Sequence, residues 1–234
     1  MNIPLFLKQH RLKIGGFAGI LGIQYFIAEF IAANAWATPY NWSRNYISDL
    51  GVPECLNSGQ LDRIVCSPLH DVMNTGFMLQ AIIVAVVTIC LIHILSKPWR
   101  YPIAIIAAVY CIGLLLVGLF PGSVAENLGG DSTRMMMHGI GALMAILGGN
   151  ILVITTALSV RTKFPDYAII SLLLGIVGLT ASLSFAAQID LGFGIGTLER
   201  VAVDPIVVWT MLTGAVILAA IFGRSRTPER FLPQ

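Results

Sequence analysis

The sequence predicts an all-α fold: a polytopic membrane protein built as a six-transmembrane-helix bundle with both termini cytoplasmic. Three observations carry this expectation. Of the 234 residues, 56% are hydrophobic and only 11% are charged, and the mean hydropathy is +0.82, whereas soluble domains carry about 25% charged residues. The apolar residues fall in continuous runs rather than alternating, which excludes transmembrane strands. Six of those runs reach the ~20 residues needed to cross about 30 Å of hydrocarbon.

The first run, 14–37, is too long for the apolar part of a cleavable signal and no small-residue cleavage site follows it, so no signal peptide is expected. The second span, 68–95, opens with Ser67 as N-cap and Pro68 at the first helical position. Pro102 opens the third, 101–120, in the same way. Asp131 or Ser132 caps the fourth, 133–158; the fifth is 167–188. Thr197 caps the sixth, 198–222, where Pro205 is expected to kink the helix. Residues 38–67 form a structured outer loop, and the whole chain is one integral-membrane domain. Six spans would allow an inverted repeat of three plus three, but the halves share no residue similarity.

Charge orients the bundle. Ten of the 14 cations, Lys8, Arg11, Lys13, Lys97, Arg100, Arg161, Lys163, Arg224, Arg226 and Arg230, fall on one side; Arg44, Arg63, Arg134 and Arg200 fall on the other. The positive-inside bias puts the larger set in the cytoplasm. Asp49, Glu54, Asp62, Asp71, Glu126, Asp131, Asp190, Glu199 and Asp204 then lie outside, with only Asp166 and Glu229 inside and Glu29 within the first span. The chain is thus expected in the cytoplasmic (inner or plasma) membrane, its polar end facing the extracytoplasmic side. Membrane lipids and other membrane subunits are the expected partners, with no nucleic acid; the net charge of +2 is small and says little about partners.

Cys55 and Cys66 share the outer loop, which faces an oxidising space, and are expected to form a disulfide. Cys90 and Cys111 lie within spans and read as small apolar residues.

Glu29 is a carboxylate inside a span. Exposure to lipid would cost on the order of 3 kcal/mol, so it is expected to face the bundle on the same side as Tyr25 and Ala33. His70 and Asn74 sit one turn apart at the outer end of the second span, and His138 opens the fourth on a face continued by Gly141, Ala142, Ala145 and Gly149. Those small residues let another helix approach. Asp49, His70, His138 and Glu199 are candidate catalytic residues. Asp49, His70 and His138 are also candidate ligands for zinc, the possible cofactor, since imidazole and carboxylate are zinc donors. A metal-free hydrogen-bonded cluster is the alternative. Glu29, Arg44, Ser48, Asn74 and Arg200 are candidate binding residues.

The alternating Gly192, Gly194 and Gly196 predict a tight interfacial loop or a short re-entrant piece; no strand precedes them, so they are no nucleotide fingerprint. The helix N-terminus beside them favours an anion such as a lipid phosphate or carboxylate. Arg200 and Asp204 are four apart and can pair along a helix. Trp36, Tyr40, Trp42 and Tyr46 fit an interfacial aromatic belt. Asn41-Trp42-Ser43 matches a glycosylation sequon.

Four stretches carry a resemblance: NYISDLG at 45–51, CSPLHDVMN at 66–74, GLFPGS at 118–123 followed by His138, and GIGTLER at 194–200. Together they resemble the DUF998 family of small polytopic membrane proteins. The resemblance covers nearly the whole chain and implies a fold and a membrane location, with no activity attached. A looser similarity runs to the membrane hydrolases that include the alkaline ceramidases, where Ser, Asp and several His hold zinc in a seven-helix bundle; this chain departs from that pattern in having six spans and no HxxxH pair near its C-terminus. Three functions are therefore expected as alternatives: a non-catalytic accessory subunit or lipid or small-molecule binder; a metal-dependent hydrolase of a lipid or lipid-linked substrate at the outer leaflet; and a small proton-coupled carrier using Glu29.

Overall fold

The computed structural model describes residues 5–58, 63–122, 132–189 and 192–223. Asp62, Glu126, Asp131, Asp190, Arg224, Arg226, Glu229 and Arg230, used above in sorting charges and caps, lie outside the described residues.

Among the described residues seven α-helices run in chain order: α1 Leu5–Ile20, α2 Gln24–Asn34, α3 His70–Leu91, α4 Lys97–Leu119, α5 Ser132–Val160, α6 Pro165–Ala186 and α7 Ile195–Phe222. A 3₁₀ turn, Leu21–Ile23, joins α1 to α2, so the two form one span. Among the described residues six helical spans are long and apolar enough to cross a membrane, from Gln9–Asn34 to Ile195–Phe222. The fold is all-α apart from a small antiparallel hairpin in the loop, β1 Leu56–Ser58 and β2 Arg63–Val65, with Asn57 opposite Ile64.

Each span packs on its neighbours in sequence, and α7 closes the ring against α1. α5 and α7 also touch, which sets α6 toward the outside. The α1–α7 closure requires glycine: a Cβ on Gly19 would stand 2.8 Å from the Gly214 Cα, so only bare backbones come this close. Phe17, Phe30, Ile105, Leu143 and Leu173 point outward, each more than half exposed, as a lipid-facing surface demands.

Three helix starts and one helix end differ from the sequence expectation. Ser67 does not cap the second span; its hydroxyl donates to the Leu50 carbonyl at 2.7 Å, and α3 begins at His70. A carbonyl buried under the loop needs that donor more than a helix end near water does. α4 begins at Lys97 with Pro98 in its first turn, leaving Pro102 inside the helix. α7 begins at Ile195, ahead of Thr197, after Gly194 at φ +87°, and it runs through Pro205 as one helix. The first span ends at Asn34, whose side chain donates to the Phe30 carbonyl at 2.7 Å.

The loop between α2 and α3 is part of the core. Ile47, Leu50, Val52 and Val65 are 0–3% exposed and pack with Tyr25, Met73 and Phe77 of the helices. The Cys55–Cys66 disulfide closes the hairpin. Glu54, beside it, pairs with Arg134 at the start of α5. Cys90 and Cys111 are free thiols, and the Cys111 Sγ donates to the Ala81 carbonyl at 3.3 Å.

Candidate functional site

The loop is built from local polar contacts. Asn41 Oδ1 accepts the Ser43 N–H at 3.1 Å and the Arg44 N–H at 3.2 Å, an asparagine-led turn. Asp49 is 4% exposed, and its Oδ2 accepts the Tyr46 N–H at 2.9 Å and the Asn45 amide at 3.2 Å. Its carboxylate thus faces back into the loop. Asn74 of α3 donates to the Gly51 carbonyl at 2.9 Å and pins the loop's 3₁₀ turn, Ser48–Gly51.

Two adjacent residues of α7 hold the loop down. Glu199 Oε2 accepts the Ile47 N–H. Arg200 pairs with Glu29 at 2.9 Å and 3.0 Å through two guanidinium nitrogens. Through Nη1 it donates to the carbonyls of Trp42, Asn45 and Gly196 at 2.9, 3.1 and 2.9 Å, and through Nη2 to the Tyr40 hydroxyl. Arg200 therefore pairs with Glu29 across the bundle rather than with Asp204 along its own helix. The longer reach wins because a planar fork satisfies a carboxylate and several carbonyls at once.

Trp36 and Tyr40 are 8% and 7% exposed, so they do not form a lipid-facing belt. They stack edge to face at 5.0 Å, and the Arg200 guanidinium lies 5.3 Å from the Tyr40 ring and 4.8 Å from the Trp42 ring. Cation–π attraction holds the Tyr40 and Trp42 rings against the charge. Burial pushes the Tyr40 hydroxyl above the usual tyrosine range, opposed by Arg200 beside it. It stays protonated and donates to the Tyr46 carbonyl at 2.7 Å.

The N-terminus of α7 is taken by the loop. The N–H groups of Gly196 and Thr197 point to the Ser43 carbonyl at 2.9 and 3.4 Å, in place of the anion expected there. Gly194 makes this docking possible, since a Cβ at that position would run into Ser43.

Beneath the loop lies a cavity of about 190 Å³ inside the bundle. Phe77, Leu114, Val117, Ala142 and Ile206 give it an apolar body, and Tyr46, Ser48, His138 and Glu199 give it polar groups at the loop end. His138 is 7% exposed and its Nδ1 lies 2.9 Å from the Phe120 carbonyl. A carbonyl only accepts, so Nδ1 carries a proton and donates to it.

Of the nine site residues expected from sequence, Ser48, His138 and Glu199 line this cavity. Glu29 and Arg200 form the ion pair beside it, Asp49 and Asn74 hold the loop, and Arg44 is exposed on the loop surface. His70 lies at the start of α3, its Nδ1 3.1 Å from Asp71. Among the described residues no three His, Cys, Asp or Glu side chains form a group able to hold a metal ion. Asp49 is turned to the Tyr46 N–H and the Asn45 amide, His70 to Asp71 and His138 to the Phe120 carbonyl.

Sequence reasoning missed Asn150. It is fully buried and donates to the Ala202 carbonyl at 2.8 Å and the Ser182 hydroxyl at 3.2 Å, tying α5 to α6 and α7. The signal was an amide inside an apolar run, which must find partners in the bundle.

Fold and site together define a six-span membrane protein with a partly open cavity beneath its loop-bearing end. The chain belongs to the family described as "Protein of unknown function (DUF998)", whose profile matches residues 20–216. No curated protein and no solved structure matches it.

Proposed function

We propose that this protein binds a lipid-like molecule in the cavity under its outer loop. The observation that carries the reading is the cavity's two-part lining, apolar through Phe77, Leu114, Val117 and Ile206 and polar at Ser48, His138 and Glu199. Ligand sites combine an apolar body with a few placed polar groups in this way. The loop end faces the extracytoplasmic side, a placement supported by the ten cations on the opposite side of the chain.

The test is native mass spectrometry of the protein released from lipid nanodiscs. The wild type is expected to retain one lipid-sized adduct. Ala142→Phe, and separately Ala145→Phe, fill the cavity and are expected to lose it. A wild type that emerges without an adduct, or variants that keep it, defeat the reading.

A second reading draws on Ser48, His138 and Glu199 lining one cavity, because a hydroxyl, an imidazole and a carboxyl group are residue types that cleave a lipid ester. It requires release of fatty acid from a bound ester, lost in both Ser48→Ala and His138→Ala. No observation favours the carrier reading, because Glu29 is held by Arg200.

A further inference from the structure

Resting on the cavity as a ligand site, we infer that it takes a single six-membered ring carried on a membrane-embedded chain, as in a phenol- or quinone-headed lipid, with the chain left in the bilayer. The cavity holds about 190 Å³. An engineered protein cavity of about 150 Å³ accommodates benzene, whereas pockets for drug-sized ligands run to about 300–1,000 Å³. One ring with its substituents fits; the rest of a lipid must lie outside.

The wall matches a ring in kind. Among the described residues, Tyr25, Tyr46, Phe77, Tyr110 and Phe185 line it with aromatic side chains. Tyr25 and Phe77 stand edge to face at 5.8 Å, and Tyr46 and Phe185 at 5.6 Å. Aromatic pairs in such geometries attract beyond the area they bury, so a ring gains here what a saturated chain does not. At the loop end lies Ser48. A hydroxyl both donates and accepts, so it serves a phenol or a ring carbonyl alike.

The open side leads to lipid. Phe77 of α3 and Tyr110, Leu114 and Val117 of α4 make a wall that is buried throughout. On α5, by contrast, Met135 is 38% exposed and Ala142 and Ile146 are half-buried, as is Phe185 on α6. One turn below Ile146, Asn150 ties α5 to Ser182 of α6 and to the Ala202 carbonyl of α7, and shuts the gap. A chain attached to the ring therefore leaves between the outer halves of α5 and α6.

The test is a binding competition on the full-length protein in nanodiscs. Radiolabelled 4-tetradecylphenol is displaced by unlabelled 4-tetradecylphenol or by 1-tetradecanol, which has the same tail and a hydroxyl but no ring, at matched mole fractions in the bilayer. The phenol is expected to bind at least about tenfold more tightly than the alcohol. Phe77→Leu and Phe185→Leu each take one ring from the wall and are expected to narrow that preference. Phe185 is half-buried, so its variant keeps the comparison readable should Phe77→Leu fail to fold. A diazirine midway along the tail of the phenol is expected to label α5 and α6; label confined to α3 and α4 overturns the exit route. Equal or tighter binding of the alcohol, or a preference unchanged in the folded variants, overturns the ring while leaving the cavity a ligand site. Binding of neither compound overturns the ring alone if the wild type keeps its native adduct, and both readings if it does not.

Discussion

Arg200 Nε stands 3.0 Å from Glu29 Oε1, joining two residues 171 positions apart. Their side chains are only 12% and 5% exposed. Removing one member of a buried pair strands the other, at about 3–5 kcal/mol. Arg200→Gln and Glu29→Leu should each lower the stability of the purified protein by that order, read by thermal unfolding in detergent. The double variant should lose less than the sum of the two. Arg200→Lys should not rescue, because one ammonium cannot serve Glu29, Tyr40 and the three carbonyls together.

The loop hairpin depends on its covalent clip. The Cys55–Cys66 bond spans 11 positions, and closing a loop of that length contributes about 3 kcal/mol. Replacing both cysteines with serine should lower the unfolding midpoint, and the wild type should shift mobility between reducing and non-reducing gels. Unchanged mobility would mean that the bond does not form.

Gly194, at φ +87° and ψ 143°, adopts a backbone that other residues enter only with strain, worth about 1–3 kcal/mol. Gly194→Ala adds a clash with Ser43. It should destabilise the protein and loosen the loop from α7, seen as faster amide exchange at Ser43–Ile47.

Inside the bundle, Asn150→Leu should cost about 1–2 kcal/mol, since interhelical hydrogen bonds in membranes average about 0.6 kcal/mol each and reach about 1.7. Gly178→Ala should be comparably harmful, because its new Cβ meets the Asn150 side chain. Thermal unfolding of both variants checks this.

Orientation has a direct readout. With Cys90 and Cys111 replaced, a cysteine at Arg44 should react with an impermeant maleimide added to whole cells, and one at Thr162 only after lysis; both positions are exposed. The reverse pattern would invert the bundle.

The number of spans, their approximate limits and the facing of Glu29 were legible in the sequence because each follows from a one-dimensional rule. Twenty apolar residues match a bilayer, and a carboxylate inside such a run must turn from lipid. The Cys55–Cys66 pair was legible for the same reason, as two cysteines close together in one polar segment. Helix starts were less so. Ser67 and Pro68 carry a clean N-terminal signature, yet Ser67 serves the Leu50 carbonyl because a loop packed into the core must satisfy its backbone there.

What only the tertiary structure decided is which polar residues meet. Sequence distance says nothing of whether Arg200 finds Asp204 four residues away or Glu29 in another helix, nor that His138 and Glu199 share a cavity while Asp49 and His70 turn elsewhere. Those outcomes depend on helix rotation and on the loop's descent into the bundle. Both are set by close packing, as where Gly19 meets Gly214 and where Gly194 admits Ser43, and close packing is a property of surfaces in contact rather than of the order of residues along a chain.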